Sequence, residues 1–407
     1  MTIPLPSTAG HRRSQSQTGP ARQVLVDGRS IPWLLVLASV VLTAYWPALR
    51  GEFLNWDDNR FITENPLFEA GGWTYVSAAL TTIQLEAYQP LHLLSYLPDR
   101  YLWPSSPSGF HALNVALFLG SLSLLFTLAT RHATSRCAAF AACLLYALHP
   151  LLVEPVAWIT ARKDLLALVL FLASIALEDG AASAASPGHE SRWRRLVSPL
   201  LAAMAALTKT ATICLPLVLA AWLYWLRRLP GRRVLVRVIP HAAVSVVVAP
   251  VVMLLWHQNE LIRWSRPNPW PVDVASTIAT YLGRTIWPTN LAAIYPEQPS
   301  FPMASSILLL SAALLLLLFW KRLPCVARFA VAGSVAALLP VANLVPVYFR
   351  FADRYALLAL TVLVVPFAML ASWLQACWQR RGSTATETAT ETETAKRAKY
   401  GGAALLG

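Results

Sequence analysis

The sequence predicts an all-α, polytopic membrane protein, and three observations support that fold class. The 407-residue chain is 56% hydrophobic and only 13% charged, with a mean hydropathy of +0.51, which is too apolar for a soluble protein of this size. Apolar runs recur along the chain at about the 18 residues that a helix needs to cross roughly 30 Å of hydrocarbon. These runs do not alternate with period two, which argues against a transmembrane β-barrel.

The apolar runs predict about ten membrane spans. These are residues 31–49, 111–130, 137–153, 164–178, 196–208, 211–226, 238–256, 304–320, 328–346 and 355–376. Residues 196–226 are interpreted as two short helices that turn near Lys209. A single helix there would place the five arginines of "RRLPGRRVLVR" on the outer face, whereas two helices put every basic cluster on the same side as the N-terminus.

The distribution of charge sets the expected location and the domain boundaries. The formal net charge is +13, but Arg and Lys form short clusters between apolar runs, as the positive-inside rule expects, and this argues against nucleic-acid binding. We expect a multi-pass protein of the inner (cytoplasmic) membrane with a membrane domain over residues 31–376. Residues 1–30 form a basic cytoplasmic tail, and residues 377–407 form a low-complexity cytoplasmic tail that is too polar and repetitive to fold.

The predicted topology places four segments on the outer face, at residues 50–110, 149–164, 257–303 and 346–355. The first contains seven acidic and three basic residues, and its stretches "GGWTYVSAALTT" and "YQPLHLLSYLPDRYLW" predict helices that lie in the membrane interface. The stretch "YLGRTIWPTNLAAIYPEQP", with Arg284, predicts another interfacial helix. Because none of the five cysteines lies in the long outer loops, we expect no disulfides and no thiol catalysis.

Several cations fall in these outer segments or, in the case of Lys209, at the predicted outer turn of residues 196–226, where the positive-inside rule disfavours them. One interpretation is that they surround a single anionic ligand, and the alternative is that each side chain reaches to lipid headgroups. The residues concerned are Arg162, Lys163, Lys209, Arg284, Arg350 and Arg354. The paired acids Asp57 and Asp58 of "NWDDNRFITENP" lie just beyond the first span, where a capping or turn role is the competing interpretation.

Six blocks carry a family resemblance, in order along residues 31–376. They are "NWDDNRFITENP", "YQPLHLLSYLPDRYLW" with "FHALNVALF", "ALHPLLVEPVAWITARKDLL", "ALTKTATICLPLVL", "LGRTIWPTNLAAIYP" and "LPVANLVPVYFRFADRYALL". With these blocks the chain resembles bacterial relatives of the TMTC transmembrane O-mannosyltransferases, glycosyltransferases of the GT-C fold. It departs from them at Gln89, where members often have Arg, at Thr210, where they often have Glu, and in lacking C-terminal tetratricopeptide repeats.

The resemblance implies an inverting transfer of a sugar, by default mannose, from a polyprenyl-phosphate donor to an acceptor hydroxyl at the outer face. The acceptor would belong to an exported protein or a glycan. Asp57 would be the general base, and Asp58 would orient the acceptor or tune Asp57. The donor phosphate would be bound first by Arg354 and Lys163, with Arg162, Lys209 and Arg350 behind them.

The same resemblance leaves other assignments open. Glu154, His149 and Gln89 are candidates for contact with the sugar or the acceptor. No cofactor is firmly expected, although Asp57, Asp58, Glu154 and His149 are also considered as ligands of one divalent cation.

Two other functions fit the composition. One is a transporter or flippase of lipid-linked sugars, since polar residues within a bundle can line a substrate path. Against it, the hydropathy shows no inverted repeat, and the charged residues cluster on one face instead of at the midplane. The other is a non-catalytic relative that only binds polyprenyl phosphate, an alternative that Gln89 and Thr210 keep open.

Overall fold

A computed structural model describes residues 28–83, 88–183, 189–258, 269–295, 311–312, 314–344 and 351–401, and within them all regular secondary structure is helical. Fifteen helices of this part are numbered here in chain order. They are α1 (Ile31–Ala44), α2 (Pro66–Ala70), α3 (Gly72–Thr81), α4 (Pro90–Leu94), α5 (Leu97–Leu102), α6 (Pro107–His132), α7 (Arg136–Ala147), α8 (Val153–Ala157), α9 (Arg162–Ser183), α10 (His189–Thr208), α11 (Leu215–Ala221), α12 (Gly231–Gln258), α13 (Trp270–Ile286), α14 (Cys325–Leu338) and α15 (Leu357–Gly401).

The structure supports fewer membrane spans than the ten that the apolar runs predict. Four helical stretches among the described residues are long and apolar enough to cross a membrane: Pro107–His132, Ile159–Ser183, Gly231–Leu255 and Asp353–Arg380. A fifth would be α7 together with Pro150–Ala157, which is bent by 62°. Three further apolar helical stretches, Gly28–Ala44, Thr210–Leu226 and Cys325–Val341, are shorter, and residues 304–310 and 313 of the predicted span 304–320 lie outside the described residues.

Two predicted features of the chain path are confirmed. Helix α10 ends at Thr208, and Lys209 has an extended backbone (φ −150°, ψ 117°) before a 3-10 turn over Thr210–Cys214 begins. Residues 196–226 are therefore two helical segments that are separated at Lys209. The stretch "GGWTYVSAALTT" forms α3, and "YQPLHLLSYLPDRYLW" contains α4 and α5.

Three predicted elements differ from the structure. The span 137–153 is interrupted, because α7 ends at Ala147 and the extended backbone of His149 precedes Pro150, a residue that disfavours helix at the position before it. The helix expected over residues 281–299 ends at Ile286, just before Trp287 and Pro288, and residues 296–299 lie outside the described part of the chain. The backbone of α15 continues to Gly401, into the tail that was expected not to fold.

The helices form a bundle with two ends, and each end is defined here by the contacts between its residues. At the basic end, the buried carboxylate of Asp179 accepts hydrogen bonds from His132 (3.0 Å), Trp222 (2.8 Å), Arg131 and Arg227, so that α6, α9 and the turn after α11 are joined. Arg237 of α12 pairs with Glu178 at 3.0 Å at the same end. The opposite end carries residues 50–83 and 88–106 and the starts of α6, α9 and α15, and it is called the loop end below.

The loop end has a small core of its own. It contains Phe61, Phe68, Tyr75, Tyr96, Phe110 and Ile159, together with Ile62, Ala79 and Leu93. Because Ile159 immediately precedes α9 and Phe110 belongs to α6, this core attaches the long first loop to two of the helices that could cross the membrane. The loop is therefore packed against these helices, and this packing fixes the positions of its side chains.

The two ends are expected to lie on opposite sides of the membrane. Cysteine introduced at Thr63, which is exposed at the loop end, should react with an impermeant maleimide in whole cells. Cysteine at Gly231, which is exposed at the basic end, should react only after permeabilisation. Both substitutions belong in a background without the native cysteines, because Cys137 is exposed. Equal labelling of the two positions from outside would contradict this arrangement.

Candidate active site at the loop end

The paired aspartates of the first loop have different environments. Asp58 is fully buried and accepts hydrogen bonds from the Leu54 N–H (3.0 Å), the Thr160 N–H (3.2 Å) and the Thr160 hydroxyl (2.9 Å). Burial raises the pKa of Asp58 above its ordinary value, and these hydrogen bonds partly offset that effect. Asp58 thus joins the first loop to the residues that precede α9.

Asp57 is half-buried and makes no hydrogen bond or ion pair with any residue that the structure describes. Its carboxylate interacts electrostatically with Lys163 and Arg354. Of the two acids, Asp57 is therefore the one whose oxygens are available to a substrate, whereas the oxygens of Asp58 are used within the protein.

Two tryptophans lie beside the aspartates. Trp56 stacks on Trp158, with ring centroids 4.9 Å apart and planes inclined by 22°. The guanidinium of Arg354 lies 5.2 Å from the centre of the Trp158 ring, so Arg354 and Trp56 both contact this residue. Stacking and the cation–π contact hold Arg354 close to the aspartate pair.

The first residue of α9, Arg162, is fully buried, and its guanidinium donates hydrogen bonds to other groups of the protein. It donates to Asn114 Oδ1 (2.9 Å), to the carbonyl oxygens of Ser95 (3.1 Å) and Phe110 (3.0 Å), and to Asp99. These contacts favour a structural role for Arg162, and we leave it out of the donor site that the sequence suggested.

The next residue, Lys163, is half-buried and differs from Arg162 in its surroundings. It forms no ion pair with the residues described, yet it interacts electrostatically with Asp57, Glu154 and Arg354. An ammonium group without a carboxylate partner, next to an equally unpartnered carboxylate, is well placed to meet a charged ligand.

Arg354 is held by an acid from another part of the chain. Its backbone N–H donates to Glu154 Oε2 at 2.9 Å, and its guanidinium forms an ion pair with Glu154 Oε1. Its neighbour in the chain, Asp353, has other partners: it accepts a hydrogen bond from the Tyr295 hydroxyl at 2.7 Å and pairs with Arg284 at 3.5 Å. Glu154 therefore positions Arg354 at the start of the last long helix.

Lys209 and Asp164 form an ion pair across the helix break. They line a narrow cleft. Its charged and polar lining also includes Arg354 and Tyr355, and its apolar lining comprises Ala167, Ala211, Ala337, Val341, Leu357 and Leu358, with Thr212 beside them. This cleft combines cations with an apolar wall, which suits an amphipathic anion.

The remaining predicted site residues are not joined to this cluster by a described contact. His149 donates from Nε2 to the Thr285 carbonyl (3.1 Å) and accepts at Nδ1 from the Leu151 N–H (3.3 Å), so both ring nitrogens are used. Gln89 is half-buried and precedes α4 without capping it by its side chain. Arg350 lies outside the described residues.

The structure also brings together residues that sequence reasoning did not assign. Trp158, Thr160, Asp164 and Tyr355 each contact a candidate site residue, and Trp56 stacks on Trp158. All of them except Trp158 are within two residues of a predicted site residue, but sequence position alone does not tell which neighbours point inward. The described residues contain no group of three or more His, Cys, Asp and Glu side chains suited to a metal ion.

Arg162→Lys is expected to destabilise the protein by about 3–5 kcal/mol, because lysine cannot replace the guanidinium contacts and leaves the buried Asp99 poorly paired. Unfolding in detergent would measure this, with Arg60→Lys as the control, since Arg60 is exposed and surface changes stay within about 0.5 kcal/mol. Wild-type stability of Arg162→Lys together with weakened anion binding would show that Arg162 serves the ligand instead.

Comparison with known proteins gives partial matches. The chain is similar to protein O-mannosyl-transferase TMTC1 of Mus musculus, with 33% identity over 195 residues, which is 44% of this chain and 20% of the relative. It is 31% identical to human TMTC1 over 195 residues, or 44% of this chain and 22% of the relative. It is 29% identical to TMTC3 of Mus musculus over 150 residues, or 34% of this chain and 16% of the relative.

The chain thus spans about a fifth of the length of the curated relatives that it matches. No family model matches it, and no solved structure matches it. The matches support a relationship to the TMTC-type O-mannosyltransferases, and together with the apolar helices they indicate a multi-pass membrane protein.

Proposed function

We propose that this protein is an inverting membrane glycosyltransferase of the GT-C type. It transfers a sugar, by default mannose, from a polyprenyl-phosphate donor to an acceptor hydroxyl at the outer face of the inner membrane. The observation that carries the proposal is the unpartnered carboxylate of Asp57 beside Lys163 and Arg354, in a chain similar to proteins named as O-mannosyl-transferases. The acceptor is an exported protein or a glycan.

The chemistry of the transfer matches these residues. The acceptor oxygen attacks the anomeric carbon, the bond from that carbon to the phosphate oxygen breaks, and polyprenyl phosphate leaves. Asp57 takes the acceptor's proton as general base, a role that requires a carboxylate within about 3 Å of the hydroxyl. Phosphate leaves without protonation, so a general acid is not needed.

Negative charge grows on the leaving phosphate during this reaction, and fixed cations in a site with little water stabilise it. Arg354 and Lys163 are the first phosphate ligands in this proposal, and Lys209 is the next. Arg354 is held in place by Glu154 and Trp158, so its position costs little further ordering when the donor binds. Arg162 is excluded from this set because its donors are used within the protein.

The transporter alternative gains no support from the described geometry. Asp57, Glu154, Lys163, Lys209 and Arg354 lie at the starts and ends of helices at the loop end, whereas alternating access places the substrate near the middle of the membrane. A non-catalytic binding protein would use the same cations but would have no need of the free carboxylate of Asp57.

Asp57→Asn is expected to lower the rate of transfer by about 10²–10⁴-fold while donor binding is largely kept, because the amide preserves shape and removes basicity. Release of polyprenyl phosphate from labelled polyprenyl phosphomannose by purified protein measures the rate. Glu52→Gln is the matched control, since Glu52 is an exposed acid of the same loop. Wild-type turnover of Asp57→Asn would exclude Asp57 as the base, and the absence of any turnover by the wild-type protein would contradict the proposed enzyme.

Lys163→Gln is expected to weaken donor binding by about 10–100-fold, the loss of one charge-assisted hydrogen bond to phosphate. Its stability should change little, because Lys163 has no ion pair to break among the described residues. Arg354→Lys should impair both donor binding and stability, since lysine keeps the charge but loses the forked contact to phosphate and the guanidinium's contacts with Glu154 and Trp158. Titration of folded, detergent-purified variants with polyprenyl phosphate tests both, and unchanged affinity of Lys163→Gln would remove Lys163 from the phosphate site.

A further inference from the structure

Asp164 has a feature that the proposed reaction does not use. Its side chain is completely buried, and Oδ1 is occupied by the ammonium of Lys209. The second oxygen, Oδ2, is buried and has no hydrogen-bond partner among the residues that the structure describes. A buried carboxylate oxygen without a donor is costly, so a donor from a ligand or a water molecule would stabilise it.

The place of Asp164 indicates what kind of ligand this is. Asp164 lines the cleft together with Lys209, Arg354 and Tyr355, and one turn further along α9 Ala167 lines the same cleft. Its neighbour Lys163 interacts electrostatically with Asp57 and Glu154. A ligand whose anionic group meets the cations therefore places its adjoining atoms close to Asp164.

We propose that Asp164 reads the sugar of the donor, with Oδ2 accepting a hydrogen bond from one of its hydroxyl groups. The inference rests on the proposed function for the identity of the anion as a sugar-linked phosphate. An ionised carboxylate only accepts hydrogen bonds, and it would repel a phosphate, so the complementary group is a neutral hydroxyl next to the anion. Lys209 divides its charge between Asp164 and the phosphate, which couples recognition of the sugar to recognition of the anion.

Asp164→Asn separates this role from the positioning of Lys209. The amide keeps the shape of the side chain, and its carbonyl oxygen still accepts from Lys209, but its NH₂ group is a donor where Oδ2 was an acceptor. We expect affinity for polyprenyl phosphomannose to fall about tenfold, the loss of one hydrogen bond to a charged group. Affinity for polyprenyl phosphate without sugar should be unchanged or higher, because a negative charge beside the phosphate has been removed.

Lys209→Gln is the matched variant, and it should weaken binding of both lipids by a similar factor, because it removes a cation that serves the phosphate. An equal loss of affinity for both lipids in Asp164→Asn would show that Asp164 only positions Lys209 and would overturn the proposal. Unchanged affinity for both lipids in that variant would overturn it as well.

A series of monodeoxy donors tests the inference on the wild-type protein, so this test remains possible even if Asp164→Asn does not fold. One of the 2-, 3-, 4- and 6-deoxymannosyl phosphates should bind about tenfold more weakly than the parent donor to the wild-type protein. In folded Asp164→Asn that difference should disappear, as expected for two groups that interact directly. Equal binding of all four analogues to the wild-type protein would overturn the inference. Failure to bind either parent lipid would contradict the proposed function itself.

Discussion

The buried guanidinium of Arg162 is the interaction on which the loop end depends. It bonds to Asn114 and Phe110 of α6 and to Ser95 and Asp99 of the first loop. Its central carbon also lies 4.7 Å from the centre of the Tyr96 ring, a cation–π contact. A charge taken out of water is stable only where every donor is satisfied, and the fork of arginine supplies enough donors for these partners at once. The geometry of this contact fixes where α9 begins.

The start of α9 then distributes three charges to three places. Arg162 points to the first loop, Lys163 interacts with Asp57 and Glu154, and Asp164 pairs with Lys209 across the helix break. Successive side chains of a helix are about 100° apart, so three neighbours naturally reach different surroundings. Asp58 accepts hydrogen bonds from Thr160, just before this helix, and this contact holds the paired acids next to the start of α9. A displacement of α9 would therefore move the proposed base and the proposed phosphate ligands together.

The sequence predicted the class of fold because apolar runs and clustered arginines follow directly from the cost of placing charge in lipid. It also located the break at Lys209, since a continuous helix would have misplaced the arginines after 226. Hydropathy alone carried the predicted span 137–153 through the bend at His149, and it did not predict the short length of several apolar helices, because it averages over a window and does not register where the backbone turns. The sequence pattern also could not identify the partner of each cation, because such partners can lie far apart along the chain. The pairing of Arg354 with Glu154 joins residues 200 positions apart, and no local spacing indicates it.

The helix break at Lys209 places the lysine side chain next to Asp164. A lysine inside a continuous helix would carry its charge along the helix surface, whereas the extended backbone at 209 turns it towards Asp164 and the cleft. Burying that ammonium is unfavourable unless an acid accompanies it, and Asp164 supplies the acid. One carboxylate oxygen satisfies the lysine, which leaves the other for a neutral donor. The pair therefore presents a cation and an acceptor side by side, a combination suited to a phosphate that is joined to a sugar.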